Sequence, residues 1–280
     1  MISKMFRTAL VAASVALSIS LLAGSVDAAA KKPAAKKPTA EEIGDPRGPD
    51  AGPLGALAPQ NLTKKRSKAP FNLTGTWFVD LQNGGFLFRP YPKLKPAAQA
   101  EFDAAQKATK EGHAYKDWIG QCYPAGLPVL MTRVWPIAMM QLPTAVYMVS
   151  GFENGFRAIY LDGRPHSDAD VVVRSWNGES IGQWEGSTLV VDTKYFISDK
   201  HTIDNIPVSD DLHIVERITL SKDGKELSIK YIMTDPQNWE GDWVSEKNWK
   251  RVDDQDITEV ECTPDLDKHL PSTQSVLNIR

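Results

Sequence analysis

The stretch SIGQWEGSTLVVDTKYF, residues 180–196, decides the fold. After Gly186, side chains alternate. Thr188, Val190 and Asp192 share one face, and Leu189, Val191, Thr193 and Tyr195 share the other, the period of a half-buried strand. Glu185-Gly186 reads as the turn, with Gly186 free to take positive φ, and Trp184 closes the first arm of a hairpin.

The same period, punctuated by Gly, Asn and Asp, recurs over 76–81, 145–152, 156–161, 212–220, 226–233, 244–251 and 258–262. The links ENG, EGS and KDGKE are tight-turn chemistry, so sequence neighbours are expected to pair as antiparallel hairpins. The expected architecture is all-β: a meander closed into a barrel, or a sandwich. One flanking helix is expected near 96–111, opened by Lys95-Pro96 and stopped at Gly112, with Ala98, Phe102 and Ala105 on one face. The run from Cys122 to Pro143, broken by four prolines, reads as an irregular crossing and not a membrane helix.

Outside this region the composition changes. Lys4 and Arg7 precede an apolar run, Ala9 to Ala23, and small residues end at Ala28, the form of a secretory signal peptide. Ser25 stands where a lipoprotein would carry Cys, so a soluble periplasmic or secreted protein is expected. Residues 29–69, rich in Ala, Lys, Pro and Gly, read as a disordered linker, residues 70–265 as one β domain and 266–280 as a tail. Residues 31–68 hold nine basic against four acidic side chains, and 69–280 hold 21 against 30. A basic tether on an acidic domain leaves room for weak contact with the cell envelope, although a solvated spacer has the same composition; the acidic domain argues against nucleic acid. Cys122 and Cys262 are the only cysteines, and in an oxidising compartment an even pair is expected to form a disulfide.

Two sets of motifs carry a resemblance. LTGTW, 73–77, is similar to the Gly-x-Trp start of the first strand in lipocalin-type barrels. RAIYLDGRPH (157–166), SWNGESIGQWEGSTLVVDT (175–193) and LHIVERITL (212–220) resemble a family of exported bacterial proteins of unknown activity. Together these cover roughly 71–264 and imply a lipocalin-like barrel, an architecture that serves carriers and enzymes alike and supplies no mechanism.

Several residues are candidates for chemistry. Gly178 to Gly182 matches the G-x-S-x-G nucleophile elbow around Ser180, with Asp192 and His201 or His213 downstream, but a hairpin follows where the elbow needs a helix. Gly178 and Gly182 read better as relief of crowding. Glu216 falls in an apolar row with Ile214 and Ile218, where it must be paired or protonated; Arg157 is a candidate inward partner, in a structural ion pair or as a ligand anchor. Asp162-Gly163-Arg164-Pro165-His166 reads as a turn that leaves Arg164 and His166 at the barrel rim. No histidine spacing or other motif indicates a metal or cofactor site, and Met131, Met139, Met140 and Met148 read as adaptable core or pocket lining.

Two functions follow. In one, the barrel binds a small apolar or aromatic molecule, with Arg157, Tyr160, Arg164, His166 and Trp176 among its contacts. In the other, the cavity carries lyase, isomerase or hydrolase chemistry on such a molecule or a glycoside, with Glu216, His213 and Asp162 as acid and base. An envelope interaction module is a third reading.

Overall fold

A computed structural model describes residues 54–82 and 85–263. The expected signal peptide, the linker up to residue 53 and the C-terminal tail lie outside the described residues.

Nine strands close into a barrel: β1 Gly75–Val79, β2 Ile137–Gln141, β3 Ala145–Ser150, β4 Phe156–Tyr160, β5 Glu179–Glu185, β6 Thr188–Lys194, β7 His213–Leu220, β8 Glu226–Thr234 and β9 Trp243–Val252. Around the ring the order is β1-β9-β8-β7-β6-β5-β4-β3-β2, and β2 returns to β1. An antiparallel contact reverses strand direction, so an odd ring cannot alternate throughout. The β4–β5 contact is parallel, with Ile159 opposite Ser180 and Tyr160 opposite Ile181. That corrects the expectation of hairpins throughout: parallel neighbours need a crossover, and residues 161–178 supply it.

Three further expectations are corrected. The proline-rich crossing contains β2, because Pro136 and Pro143 flank the strand and do not interrupt it. Gln141 ties it to the start of β1: its side-chain oxygen accepts from Leu73 N at 2.9 Å, and its amide nitrogen donates to Phe71 O at 3.0 Å. Residues 258–262 form no strand. The hairpin turn lies one residue later than expected, with Gly186-Ser187 as the loop between paired Glu185 and Thr188.

The end of the expected linker is also ordered onto the barrel. Residues 59–62 form one helical turn, and Asn61 donates to Asp162 at 2.8 Å. Arg164 donates to Leu54 O at 2.9 Å and holds Asp162 in an ion pair at 2.6 Å. These polar anchors do for residues 54–69 what their composition cannot.

Strand alternation fills the lumen with the protein's own side chains. Trp77, Val191, Ile214, Ile218, Ile229, Tyr231 and Trp249 are all buried, and Met131, Met139 and Met148 join them, while Met140 is exposed. The helix runs Pro96–Lys110, with Ala98 and Ala105 buried and Phe102 edge-on to Tyr91, which meets Trp243 in turn. No helix among the described residues is long and apolar enough to cross a membrane. Cys122 and Cys262 are bridged, with Cα atoms 5.7 Å apart.

Strand direction places the long connections. Residues 80–136, 195–212 and 235–242 all join strands at one end of the barrel, whereas the other end is closed by the short turns at 142–144, 186–187 and 221–225.

Candidate functional site

The residues singled out from sequence fall in four places and do not assemble one site. Arg157 and Glu216 meet inside the barrel as the alternation expects, with Nη1 3.0 Å from Glu216 Oε1 and both side chains buried. The guanidinium also donates to Ser180 Oγ from Nε at 3.2 Å and from Nη2 at 3.1 Å, and to Thr193 Oγ1 at 3.3 Å. Ser180 therefore faces the lumen as a partner of Arg157 and not outward from an elbow. The flanking glycines have steric roles: a Cβ on Gly182 would lie 2.7 Å from Leu161 Cδ2, and Gly178 sits at φ +63°, where a Cβ would lie 2.5 Å from Lys194 O.

Asp162 and Arg164 lie at the end that carries the short turns, in the knot with Asn61, and the Arg164 guanidinium sits 4.2 Å over the Tyr160 ring. Burial raises the Asp162 carboxyl, but the hydrogen bonds from Arg164 and Asn61 outweigh it and hold the group at about 2. That is a structural carboxylate, too acidic for acid–base work near neutrality.

His166 and His213 lie on the outer wall. His166 Nδ1 is 2.9 Å from Glu179 and its Nε2 is 2.7 Å from Asp192, whose second oxygen is 2.7 Å from His213 Nε2. Burial raises the Asp192 carboxyl, but His213, His166 and Lys194 bring it down to about 2. The network pins the crossover to β5, β6 and β7. Trp176 packs against Tyr123 and His201, at 6.4 and 5.8 Å between ring centroids. Glu216 and Asp162 are thus at separate places, and His213 is on the far side of the barrel wall from Glu216.

The opening lies instead at the end that carries the long connections. A cleft of about 270 Å³ is bounded by residues 86–87, by 114–119, by 124–135 of the crossing, by Phe152 in the β3–β4 turn and by 200–205. Apolar walls come from Phe86, Val129, Trp135 and Phe152. The 200–205 wall is shaped by a tight hairpin in which Ile203 pairs with Ile206 and Asp204 and Asn205 take φ +53° and +67°, the two left-handed residues of a type I′ turn.

Of the charged residues that line the cleft, Arg133 and Asp204 are the two shifted mainly by burial. Arg133 follows the short helix Val129–Thr132, and its guanidinium lies 5.6 Å from the Phe152 ring centroid. Its Nε is buried and has no hydrogen-bond partner. Burial pulls the Arg133 guanidinium below its ordinary value, against the charges of Asp204, Glu153 and Asp117. Asp204 accepts from Phe88 N at 2.5 Å. Burial pushes its carboxyl up to about 6, although the Phe88 amide and the charges of Lys247, Arg133 and Arg89 act the other way; Tyr91 also faces it, its hydroxyl raised by burial and by the Asp204 charge. Lys247 reaches from inside the barrel to Gly85 O at 3.2 Å and to Leu87 O, fixing the segment that presents Phe86.

Sequence reasoning missed this site. Its one local signal is Arg133 itself, a lone charge in LPVLMTRVWPIAMM, residues 127–140. Asp204 gave none, since Asp-Asn reads only as a turn.

The raised Asp204 carboxyl sets the sign of one pH effect. A carboxyl with a folded pKa above its unfolded value binds the proton more tightly when folded, so its contribution falls as pH rises from about 4 to about 6. Above that window the charged form costs at most about 3 kcal/mol, at 1.36 kcal/mol per unit. Asp204→Asn keeps an acceptor for Phe88 N and removes the charge. In thermal melts the variant is expected to exceed the wild type at pH 7.5 and to match it at pH 4; equal melting temperatures at both pH values would refute this account.

No family model and no curated protein matches the chain.

Proposed function

We propose that the chain is an exported β-barrel protein, periplasmic or secreted, that binds a small, largely apolar or aromatic molecule in the cleft at the barrel end. The observation that carries this reading is the contrast between the two concave spaces. The lumen is filled by aromatic side chains and a paired Arg157–Glu216, whereas the cleft joins apolar walls to a few polar groups, the make-up of small-molecule sites. Its volume is near the lower bound of such sites, roughly 300–1,000 Å³. The disulfide fits an oxidising compartment.

A second reading, periplasmic acid–base chemistry on the same molecule, is favoured by one feature. Asp204 faces the cleft with a carboxyl at about 6, close to the value useful for proton transfer at neutral pH. In that reading Asp204 takes the role that sequence gave to Glu216.

The test is a titration with the neutral probe N-phenyl-1-naphthylamine, read by its fluorescence. Saturable binding to the wild type is expected, weakened at least about tenfold, or 1.4 kcal/mol, by Ala114→Trp, which places an indole in the cleft from an exposed position. Absence of saturable binding, or binding indifferent to Ala114→Trp, would overturn the cleft as the ligand site.

A further inference from the structure

Arg133 calls for a partner that the protein does not provide. A guanidinium presents five N–H donors in a planar fork and remains charged throughout the pH range of proteins. Burying one of those donors without an acceptor costs about 1–3 kcal/mol, and more for a charged group. The buried cations among the described residues are satisfied: Arg157 by Glu216, Ser180 and Thr193, and Lys247 by backbone carbonyls. Arg133 Nε is the exception, and Arg133 lines the cleft.

The nearby carboxylates are engaged elsewhere. Asp117 accepts from Gly120 N at 3.1 Å, Glu153 accepts from Ala125 N at 3.2 Å, and Asp204 accepts from Phe88 N. None of the three makes a hydrogen bond or ion pair to Arg133 among the described residues. Of the other cations on the cleft, Lys116 is held by Glu101 at 2.7 Å, and Lys200 lies 3.3 Å from Asp199 and 4.4 Å from the Tyr123 ring centroid. Among the described cations that line the cleft, Arg133 is therefore the one with a buried donor left for an anion.

We propose that the cleft selects an apolar or aromatic monoanion, a carboxylate or sulfonate on a ring or short chain, with its head group on Arg133 and its body against Phe152, Trp135 and Val129. This rests on the cleft being the ligand site. The planar fork suits a planar or trigonal oxyanion, and the Phe152 face beside the guanidinium suits an attached ring. A second negative charge on the ligand would meet Asp204 and apolar wall with no further buried cation to hold it, which favours a monoanion over a dianion.

The experiment uses two probes with the same aromatic skeleton, N-phenyl-1-naphthylamine and 8-anilinonaphthalene-1-sulfonate, titrated into the full mature chain at fixed ionic strength. The wild type is expected to bind the sulfonate about 10–100-fold more tightly than the amine, the range of a charge-assisted hydrogen bond. Arg133→Gln should abolish that preference, bringing the affinities for the two probes to within about threefold of each other. Arg133→Lys, which keeps the charge but loses the fork, should retain only part of it. An unchanged near-ultraviolet circular dichroism spectrum shows that the variants are folded. Equal affinities in the wild type, or a sulfonate preference that survives Arg133→Gln, would overturn the anion site while leaving the apolar cleft intact; loss of both probes from the wild type would overturn the cleft as well.

Discussion

Glu216→Ala is expected to lower the unfolding free energy by about 3–5 kcal/mol, the usual cost of leaving one member of a buried ion pair alone. Arg157 and Glu216 are 1% and 0% exposed, so water cannot take over the role of the missing partner. Ser180 and Thr193 would still accept from the guanidinium, but two neutral hydroxyls do not neutralise it. The ion pair itself need not be stabilising. Arg157→Met combined with Glu216→Leu keeps the volume and removes both charges, and such exchanges are often neutral or favourable. Urea unfolding should therefore show a large loss in the single variant and recovery in the double. A single variant within about 1 kcal/mol of the wild type would mean that water or another cation reaches the lumen. Glu216→Ala should also leave probe binding in the cleft unaltered under conditions where the variant is folded, since Glu216 does not line that space.

How much of this was legible before the structure differs from residue to residue. Strand period put Glu216 among apolar neighbours, and because both partners lay on strands with clear alternation, Arg157 could be proposed as its partner. The same period puts Asp192 on the face opposite Leu189 and Val191, and in the structure it joins His166 and His213 on the outer wall. Period says nothing, however, about strand direction when a long connection intervenes. The β4–β5 contact is parallel because the ring is odd, a property of all nine strands and of no local stretch.

β2 was hidden for a different reason. Six residues between two prolines offer too short a window for periodicity, and the strand is fixed by Gln141 bonding to residues about 70 positions earlier, at separations of 68 and 70. The cleft was hidden for the same reason on a larger scale. Arg133, Phe152 and Asp204 converge only because the barrel puts its long connections at one end, so the site belongs to the topology. Polar side chains on regular strands were readable and proved mainly structural; the groups left for a ligand sit on the irregular segments, where sequence pattern carries least information.

The disulfide acts on those same irregular segments. Replacing Cys122 and Cys262 by Ser is expected to cost up to about 5 kcal/mol on the chain-entropy view, since the bridge closes a loop with a sequence separation of 140 and the cost grows with the logarithm of loop length. The loss should enter mainly through the unfolded chain, which becomes free to expand, so the urea m-value should rise as the midpoint falls. A native-state component is expected too. Cys122 lies in the crossing that walls the cleft, and the residues before Cys262 are held to the β3–β4 turn by two hydrogen bonds between Asn154 and Val260, at 2.7 and 2.9 Å. Without the bridge, those two bonds still tie Val260 to the β3–β4 turn. Amide exchange should therefore quicken around 119–125 and 258–262 more than in β7 and β8, whose protection depends on the barrel ladder. A uniform change across the barrel, or no change in m-value, would show that the bridge works through the folded packing and not through the loop that it closes.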